Sequence, residues 1–427
     1  MKNVLGAKCM ICSKFFEDFE YVCPEHQSEH EPEHEFDYKN EGILDIKYDY
    51  NLIKKTFTKQ KLANNKDKSI WRYTPLLPIN ENSPVPNLFV GNTPLYSLNK
   101  LADKFNVKNL YLKDDSRLPT ASFKDRASAI ALVKAWEKKA DVITAASTGN
   151  AGAALSGLCA SSGKENVIFV PASAPQAKVA QLLMFGSKVM LVNGTYDDAF
   201  DLCLKAAQEY GWYNRNTGFN PYMSEGKKTC SFEICEQLKW KVPDKIFVSV
   251  GDGCIIGGIY KGLKDLFKMG WIDHIPKLIG IQAEKSSYMY QAWKNNENII
   301  TKPFVKAETL ADSISAGLPR DRIKALKAVK NTKGEFITVS DKEILRAIPD
   351  LAKQTGVFAE PAGAATWAGF LKAVKQNILS FDESIVIINT GSGLKDINNA
   401  MKSVELTNMK YNKVEPSIDK FRKMMAS

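Results

Sequence analysis

Short runs of β-branched and apolar residues alternate along most of this chain with longer stretches whose apolar positions recur every three or four residues. The first pattern fits strands buried on both faces and the second fits amphipathic helices. It predicts strands at 109–114 (NLYLKD), 141–147 (DVITAAS), 166–172 (NVIFVPA), 188–194 (KVMLVNG), 245–251 (KIFVSVG), 277–283 (KLIGIQA) and 384–390 (SIVIINT). Helical periodicity marks 125–140, 197–211 and 257–270 between them. Strand–helix–strand alternation predicts parallel sheets covered by helices on both faces, an α/β fold. No repeat of fixed period is present, which argues against a solenoid.

The leading segment reads differently. Residues 1–50 carry three cysteines, then an acidic run (EHQSEHEPEHEFD), then GILDIKYDY, whose alternation predicts a strand. Residues 51–87 are polar, Lys-rich and interrupted by Pro75, Pro78, Pro84 and Pro86, the composition of a connecting arm. At 427 residues the chain has room for about two or three domains.

Composition narrows the class. Hydrophobic residues make up 44% and charged residues 25%, which excludes disordered, collagenous and low-complexity chains. No apolar run approaches the roughly 20 residues of a membrane span. The opening MKNVLGAKCMICSKFF lacks the features of a signal peptide, so a soluble cytoplasmic protein is expected. The net charge of +10 is scattered along helices beside Asp and Glu, a pattern of solvated faces and not of a nucleic-acid footprint. Eight cysteines are too few for a disulfide scaffold; Cys159, Cys203, Cys230, Cys235 and Cys254 have apolar neighbours and read as buried thiols.

The other three are patterned. Cys9-x-x-Cys12, ten residues, then Cys23-x-x-His26 offers the ligand types and pairing of a structural zinc ribbon, with Pro24 suited to a tight knuckle. The alternative is a metal-free unit whose cysteines merely pack. His30 and His34 read as solvated, although either could replace His26.

In open α/β folds, ligands bind on the loops that follow the carboxyl ends of strands. Three such turns carry candidate chemistry. PTASFKDRAS (119–128) puts Lys124 at the mouth of a helix. ASTGNAG (146–152) brings hydroxyls and free N–H groups to another helix start, a site for a carboxylate or phosphate or an ordinary N-cap. SVGDGCIIGG (249–258) lets the backbone approach a phosphate closely, yet matches neither GxGxxG nor the P-loop. A lysine, a carboxylate-sized pocket and a phosphate cradle together suit pyridoxal phosphate: the lysine for a Schiff base, the cradle for the phosphate, the pocket for an amino acid.

The chain resembles threonine synthases, members of the tryptophan-synthase-β-like, fold type II group of pyridoxal phosphate enzymes. The resemblance runs from about Leu88 to Lys395 through GNTPL (91–95), SFKDRAS (122–128), ASTGNAG, NPYMSEGKKT (220–229), the 251–258 loop, GVFAEPAGAA (356–365) and NTGSGLKD (389–396). It implies two doubly wound α/β domains with the cofactor in the cleft between them: 88–128 with 215–427 as the large domain and 129–214 as the small one. It implies that Lys124 forms the Schiff base and shuttles the α-proton. Asn150 would bond the phenolic oxygen of the cofactor, while Ser147, Thr148 and Gly149 bind the substrate carboxylate. Gly251, Asp252, Gly253, Cys254 and Ile255 would hold the cofactor phosphate, and Thr390 would meet the pyridine nitrogen with a hydroxyl. Some threonine synthases begin with a ribbon like that of Cys9, Cys12, Cys23 and His26, and a homodimer is expected by analogy.

Four positions depart from the pattern. Ala151 stands where a hydroxyl residue follows TGN, Met223 where an arginine follows the NP pair, Asp252 for an asparagine and Ser392 for a histidine. A substrate dianion without donors would cost several kcal/mol. Either other residues, such as Lys113 or Arg117, supply the charge, or the substrate carries no phosphate. Two enzyme readings follow: a threonine synthase acting on O-phosphohomoserine, and a related lyase or synthase working on a β-substituted amino acid. A non-catalytic binding protein on the same fold is the third, and retention of Lys124 argues against it.

Overall fold

The computed structural model describes residues 1–26, 42–147, 149–174 and 176–426. Strands β1 (Val4–Cys9), β2 (Phe15–Phe16), β3 (Val22–Cys23) and β4 (Gly42–Tyr48) form an antiparallel sheet in the order β2-β1-β4-β3. Next come β5 (Leu95–Ser97) and β6 (Asn109–Asp114), then β7 (Val142–Ala146), β8 (Glu165–Pro171), β9 (Lys188–Val192) and β10 (Tyr213–Asn214). The chain continues with β11 (Lys245–Ser249), β12 (Lys277–Ala283), β13 (Glu335–Val339) and β14 (Ser384–Asn389). The β7–β10 segment forms a parallel sheet, β10-β7-β8-β9. The remaining strands form a sheet in the order β13-β12-β11-β14-β6-β5, parallel except at the β5–β6 edge. The α/β class expected from the alternation is what the chain adopts.

The period-two geometry of a strand explains how this sheet holds two cores. Ile246, Val248, Val386 and Ile388 point into one buried cluster. Their chain neighbours Phe247, Ile385 and Ile387 point into another, against Trp367 and Phe370. Each such side chain contributes about 1.5–3 kcal/mol on burial, which is why β11 and β14 are apolar at nearly every position.

Six of these strands were not foreseen: β1, β2 and β3 beside the predicted β4, and three in the other two sheets. β5 and β10 span three and two residues, and β13 lies in GEFITV, whose glycine and glutamate mask a short β-branched run. The polar segment 51–87 is packed structure, with helices Tyr50–Thr56, Lys59–Ala63 and Ile70–Leu76. Their Ile53, Leu62, Ile70, Tyr73 and Leu76 join the main core. Among the described residues, no helix is long and apolar enough to cross a membrane.

One buried ion network ties the sheet to the helices around it. Arg126 is wholly buried, and its guanidinium donates to both oxygens of Asp115 (2.6 and 3.0 Å) and both of Glu233 (2.6 and 2.8 Å). It also reaches the hydroxyls of Thr93 (3.1 Å) and Thr229 (3.0 Å). Lys113, equally buried, donates to Glu233 (2.7 Å), to the Thr93 carbonyl (2.8 Å) and to Gln237 (3.0 Å). Burial would raise the Glu233 pKa, but Arg126 and Lys113 hold it well below the usual carboxylate range. Removing one member of such a buried set strands the others. Glu233→Gln is therefore expected to lower the unfolding free energy by about 3–5 kcal/mol in urea titrations. Glu165→Gln, which breaks an exposed pair with Lys188, should leave the midpoint unchanged within error.

Candidate active site

The candidate turns lie at the carboxyl ends of parallel strands. Asp114 pairs with Asn389 across β6 and β14, so Asp115 and Thr390 leave the sheet side by side. The chain from Asp115 then reaches Lys124, the first residue of the Lys124–Glu137 helix. The intervening loop is fastened at several points. The Phe123 N–H donates to the Thr390 carbonyl (2.9 Å), and Lys395 Nζ to the Thr120 carbonyl (2.8 Å). The Asp125 carboxylate accepts from the Thr120 N–H (2.8 Å) and hydroxyl (2.5 Å). Burial pushes the Asp125 pKa up to about 6 against the pull of those two bonds. Lys124, half-buried, thus opens from a fixed base into a cleft of about 440 Å³.

The opposite wall is the start of the Asn150–Ser161 helix, which follows β7. Ser147, Gly149, Asn150 and Ala151 line the cleft, and the Gly149 N–H donates to Ser147 Oγ (3.3 Å). Thr148 lies outside the described residues, as do His30 and His34. Asn150 is engaged in a way the sequence did not indicate. Its amide nitrogen donates to both oxygens of the buried Glu360 (2.8 and 3.0 Å) and to Ser313 Oγ (3.4 Å). Burial raises the Glu360 pKa, while Asn150, Lys395 and Lys124 pull it down.

A third side of the cleft is lined by Asp252, in the loop 251–255 at the start of the Cys254–Met269 helix. Gly253 has φ of +90°, and a Cβ there would stand 2.7 Å from that of Ala325, so only glycine fits. A Cβ on Gly251 would lie 2.7 Å from Ile314 Cα. The Asp252 carbonyl accepts from the Asp321 N–H (2.9 Å), and its carboxylate from the Arg320 N–H (3.3 Å). Asp252 lines the cleft, and Cys254 and Ile255 form the first helical turn.

Two buried cations converge on this helix start, and neither was singled out in the sequence. Lys227 and Arg215 are fully buried, and Lys227 Nζ and Arg215 Nη2 have no hydrogen-bond partner. Burial, with repulsion from Lys124 and Arg215, lowers the Lys227 pKa to about 8 despite the nearby Cys254; burial takes Arg215 to about 10. Cations beside the positive end of a helix dipole are unfavourable until an anion joins them. The glycine cradle, the two orphaned donors and Lys124 therefore fit a phosphate-bearing aldehyde.

The departures also find their places. Met223 is fully buried in the core, and Ala151 lines the cleft. Ser392 Oγ accepts from the Leu394 N–H (3.3 Å) as a turn residue. Lys113 and Arg117, suggested as sources of charge, are spent elsewhere: Lys113 in the Glu233 network, Arg117 on Asp114 (3.2 Å). Arg320 lines the cleft instead, paired with Asp197 (2.6 Å) across it. Lys178 and Lys395 line an adjoining recess with Glu360.

Residues 87–391 match the family of pyridoxal-phosphate dependent enzymes, and the chain belongs to that family. Its sequence is 39% identical to the threonine synthase of Methanocaldococcus jannaschii over 365 residues, covering 85% of this chain and 89% of that one. It is 42% identical to the threonine synthase of Methanosarcina acetivorans over 359 residues, covering 84% and 87%. Among solved structures, the fold is similar to the processed threonine deaminase isoform 2 of Solanum lycopersicum, with a TM-score of 0.63 at 23% identity over 74% of this chain and 84% of that one. It is also similar to diaminopropionate ammonia lyase of Escherichia coli, with a TM-score of 0.64 at 19% identity over 82% and 92%.

Lys227 makes the anion site pH-dependent with a definite sign. A phosphate binds the protonated lysine, so the affinity of the apoprotein for pyridoxal phosphate should be steady below the lysine's pKa of about 8. Above it, affinity should fall by up to about tenfold per pH unit. Fluorescence titration of the cofactor checks this, and Lys227→Gln should weaken binding and remove the decline.

Proposed function

We propose that this chain is a threonine synthase, converting O-phosphohomoserine and water to threonine and phosphate. The observation that carries the reading is the 39–42% identity to two threonine synthases across nearly all of their length. Bound pyridoxal phosphate would supply an electron sink for charge developing beside the substrate's amino-bearing carbon. In this reading the Lys124 amine holds the cofactor and then carries protons between carbon positions of the substrate. Ser147, Thr148 and the N–H groups at Gly149 and Asn150 bind the substrate carboxylate at a helix start. Loop 251–255 with Lys227 and Arg215 holds the cofactor phosphate, and Thr390 faces the pyridine nitrogen. The Asn150 amide would orient the cofactor's phenolic oxygen, with Glu360 fixing that amide.

The substrate phosphate needs its own donors, since Ala151 and Met223 offer none. Arg320 and the lysines of the adjoining recess, Lys178 and Lys395, are the cations placed to serve. The large domain would comprise 88–128 with 215–427, and the small one 129–214, which contains the whole β7–β10 sheet. The purified holoenzyme should release inorganic phosphate from O-phosphohomoserine with matching formation of threonine. Loss of the β-substituent from a phosphate-free amino acid, with no phosphate released from O-phosphohomoserine, would shift the assignment to the related lyases. Lys124→Ala should reduce turnover by about 10²–10⁴-fold, and borohydride reduction should fix the cofactor to the Lys124 peptide of the parent only.

The N-terminal sheet is proposed to hold a structural zinc. Ligand atoms of Cys9, Cys12, Cys23 and His26 lie within 4.8 Å of one another, and His26 Nε2 is buried without a partner. That is the donor set of a closed tetrahedral site. Elemental analysis should give one zinc per chain, and Cys12→Ser with His26→Ala should remove it.

A further inference from the structure

A second cavity, of about 230 Å³, lies between the N-terminal sheet and the helices Cys254–Met269 and Arg322–Asn331. Its lining holds six lysines, Lys8, Lys47, Lys261, Lys264, Lys324 and Lys327, and a single carboxylate, Asp45. The fold itself assembles them. The β1–β4 register sets Lys8 opposite Asp45, and Lys261 and Lys264 are one helical turn apart on the facing helix.

Asp45 is shared among three ammonium groups. It pairs with Lys47, lies 3.0 Å from Lys261 and 4.0 Å from Lys264. Glu225 reaches Lys261 only at 3.9 Å and is committed to Lys228 and the Tyr48 hydroxyl. Lys324 donates to Ser224 Oγ (3.1 Å) with Asp321 at 3.6 Å, and Lys327 donates to the Met10 carbonyl (3.2 Å). Lys264 is left in deficit: burial lowers its pKa, Lys261 and Lys47 lower it further, and Asp45 and Asp265 do not make up the difference. Like charges gathered in a concave, partly dry space raise the local potential and favour an anion there.

We propose that this cavity binds a condensed phosphate chain, either free or as the tail of a nucleotide. Six lysines less one aspartate leave five positive charges on the lining. A terminal phosphate carries about −1.5 to −2 near neutral pH, so one orthophosphate leaves much of the surplus, and two or three linked phosphates balance it. The volume also falls below the roughly 300–1,000 Å³ typical of pockets that enclose whole drug-sized ligands. It accommodates the chain and leaves any nucleoside outside. Lysines suit this role because their compact charges do not demand the paired geometry of a guanidinium.

The test uses the cofactor-loaded enzyme, with calorimetric titration of inorganic tripolyphosphate and of adenosine triphosphate. The double variant Lys47→Gln/Lys264→Gln removes two partly exposed lysines that take no part in the active site. It should weaken tripolyphosphate binding by at least about tenfold with turnover unchanged, while the thermal midpoint falls because Asp45 keeps only Lys261; Lys264→Arg should retain binding. Removal of metal by the anion would be the same in both proteins and so does not imitate this result. Equal affinity for tripolyphosphate and the nucleotide identifies the chain as the ligand, and tighter nucleotide binding adds a contact from the nucleoside; both uphold the site. Absence of binding at millimolar tripolyphosphate, or unaltered binding by the double variant, overturns it.

Discussion

The guanidinium of Arg126 is the constraint around which the rest is arranged. A charge with no access to water is stable only when its donors are matched, and here two carboxylates and two hydroxyls do so. Those acceptors come from three parts of the chain: the turn before β5, the end of β6, and the Thr229–Gln237 helix, which supplies two. Arg126 therefore fixes the start of its own helix, two residues after Lys124, relative to the sheet. The segments GNTPL and SFKDR have a physical reason to occur together, because Thr93 of one and Arg126 of the other share Asp115 and Glu233.

This arrangement separates two kinds of buried cation. Arg126 and Lys113 are balanced within the protein, and their task is to hold position. Lys227 and Arg215 are left with open donors at a helix start, and they are electrostatically complete only with a bound anion. The contrast reads structure from function without reference to any relative: satisfied charge marks scaffold, and unsatisfied buried charge marks a binding site. The lysine-lined cavity beside β4 is a milder case, since its surplus is spread and partly wet.

Much of this was legible in the sequence because the signals are local. β-branched runs bounded by glycine gave the central strands, and the turns after them carried Lys124, Ser147 and the 251–255 loop. What stayed hidden depends on contacts between distant residues. Arg215 and Lys227 look like ordinary basic residues, and burial alone distinguishes them. Glu360 sits in a motif yet shows its role only when its carboxylate meets Asn150, 210 residues earlier. Lys113 and Arg117 seemed free to serve a substrate, because their partners Glu233 and Asp114 cannot be assigned from one-dimensional spacing. The segment 51–87 hid its helices for a related reason. They are short, with few apolar positions each, and tertiary packing stabilises them more than intrinsic propensity does.

The position of β14 between β11 and β6 has a consequence for the order of events during synthesis. The β7–β10 sheet draws on one continuous stretch, residues 142–214, and can assemble as soon as that stretch leaves the ribosome. The six-stranded sheet cannot. Its β6 waits for a neighbour whose paired residues lie 275 positions later, so the sheet closes only after residue 389 has been made. The Thr390 carbonyl accepts from the N–H of Phe123, the neighbour of Lys124, at that same closure. A chain that stops short of β14 thus lacks the assembled cleft, and cofactor capture becomes a report that synthesis has passed that strand.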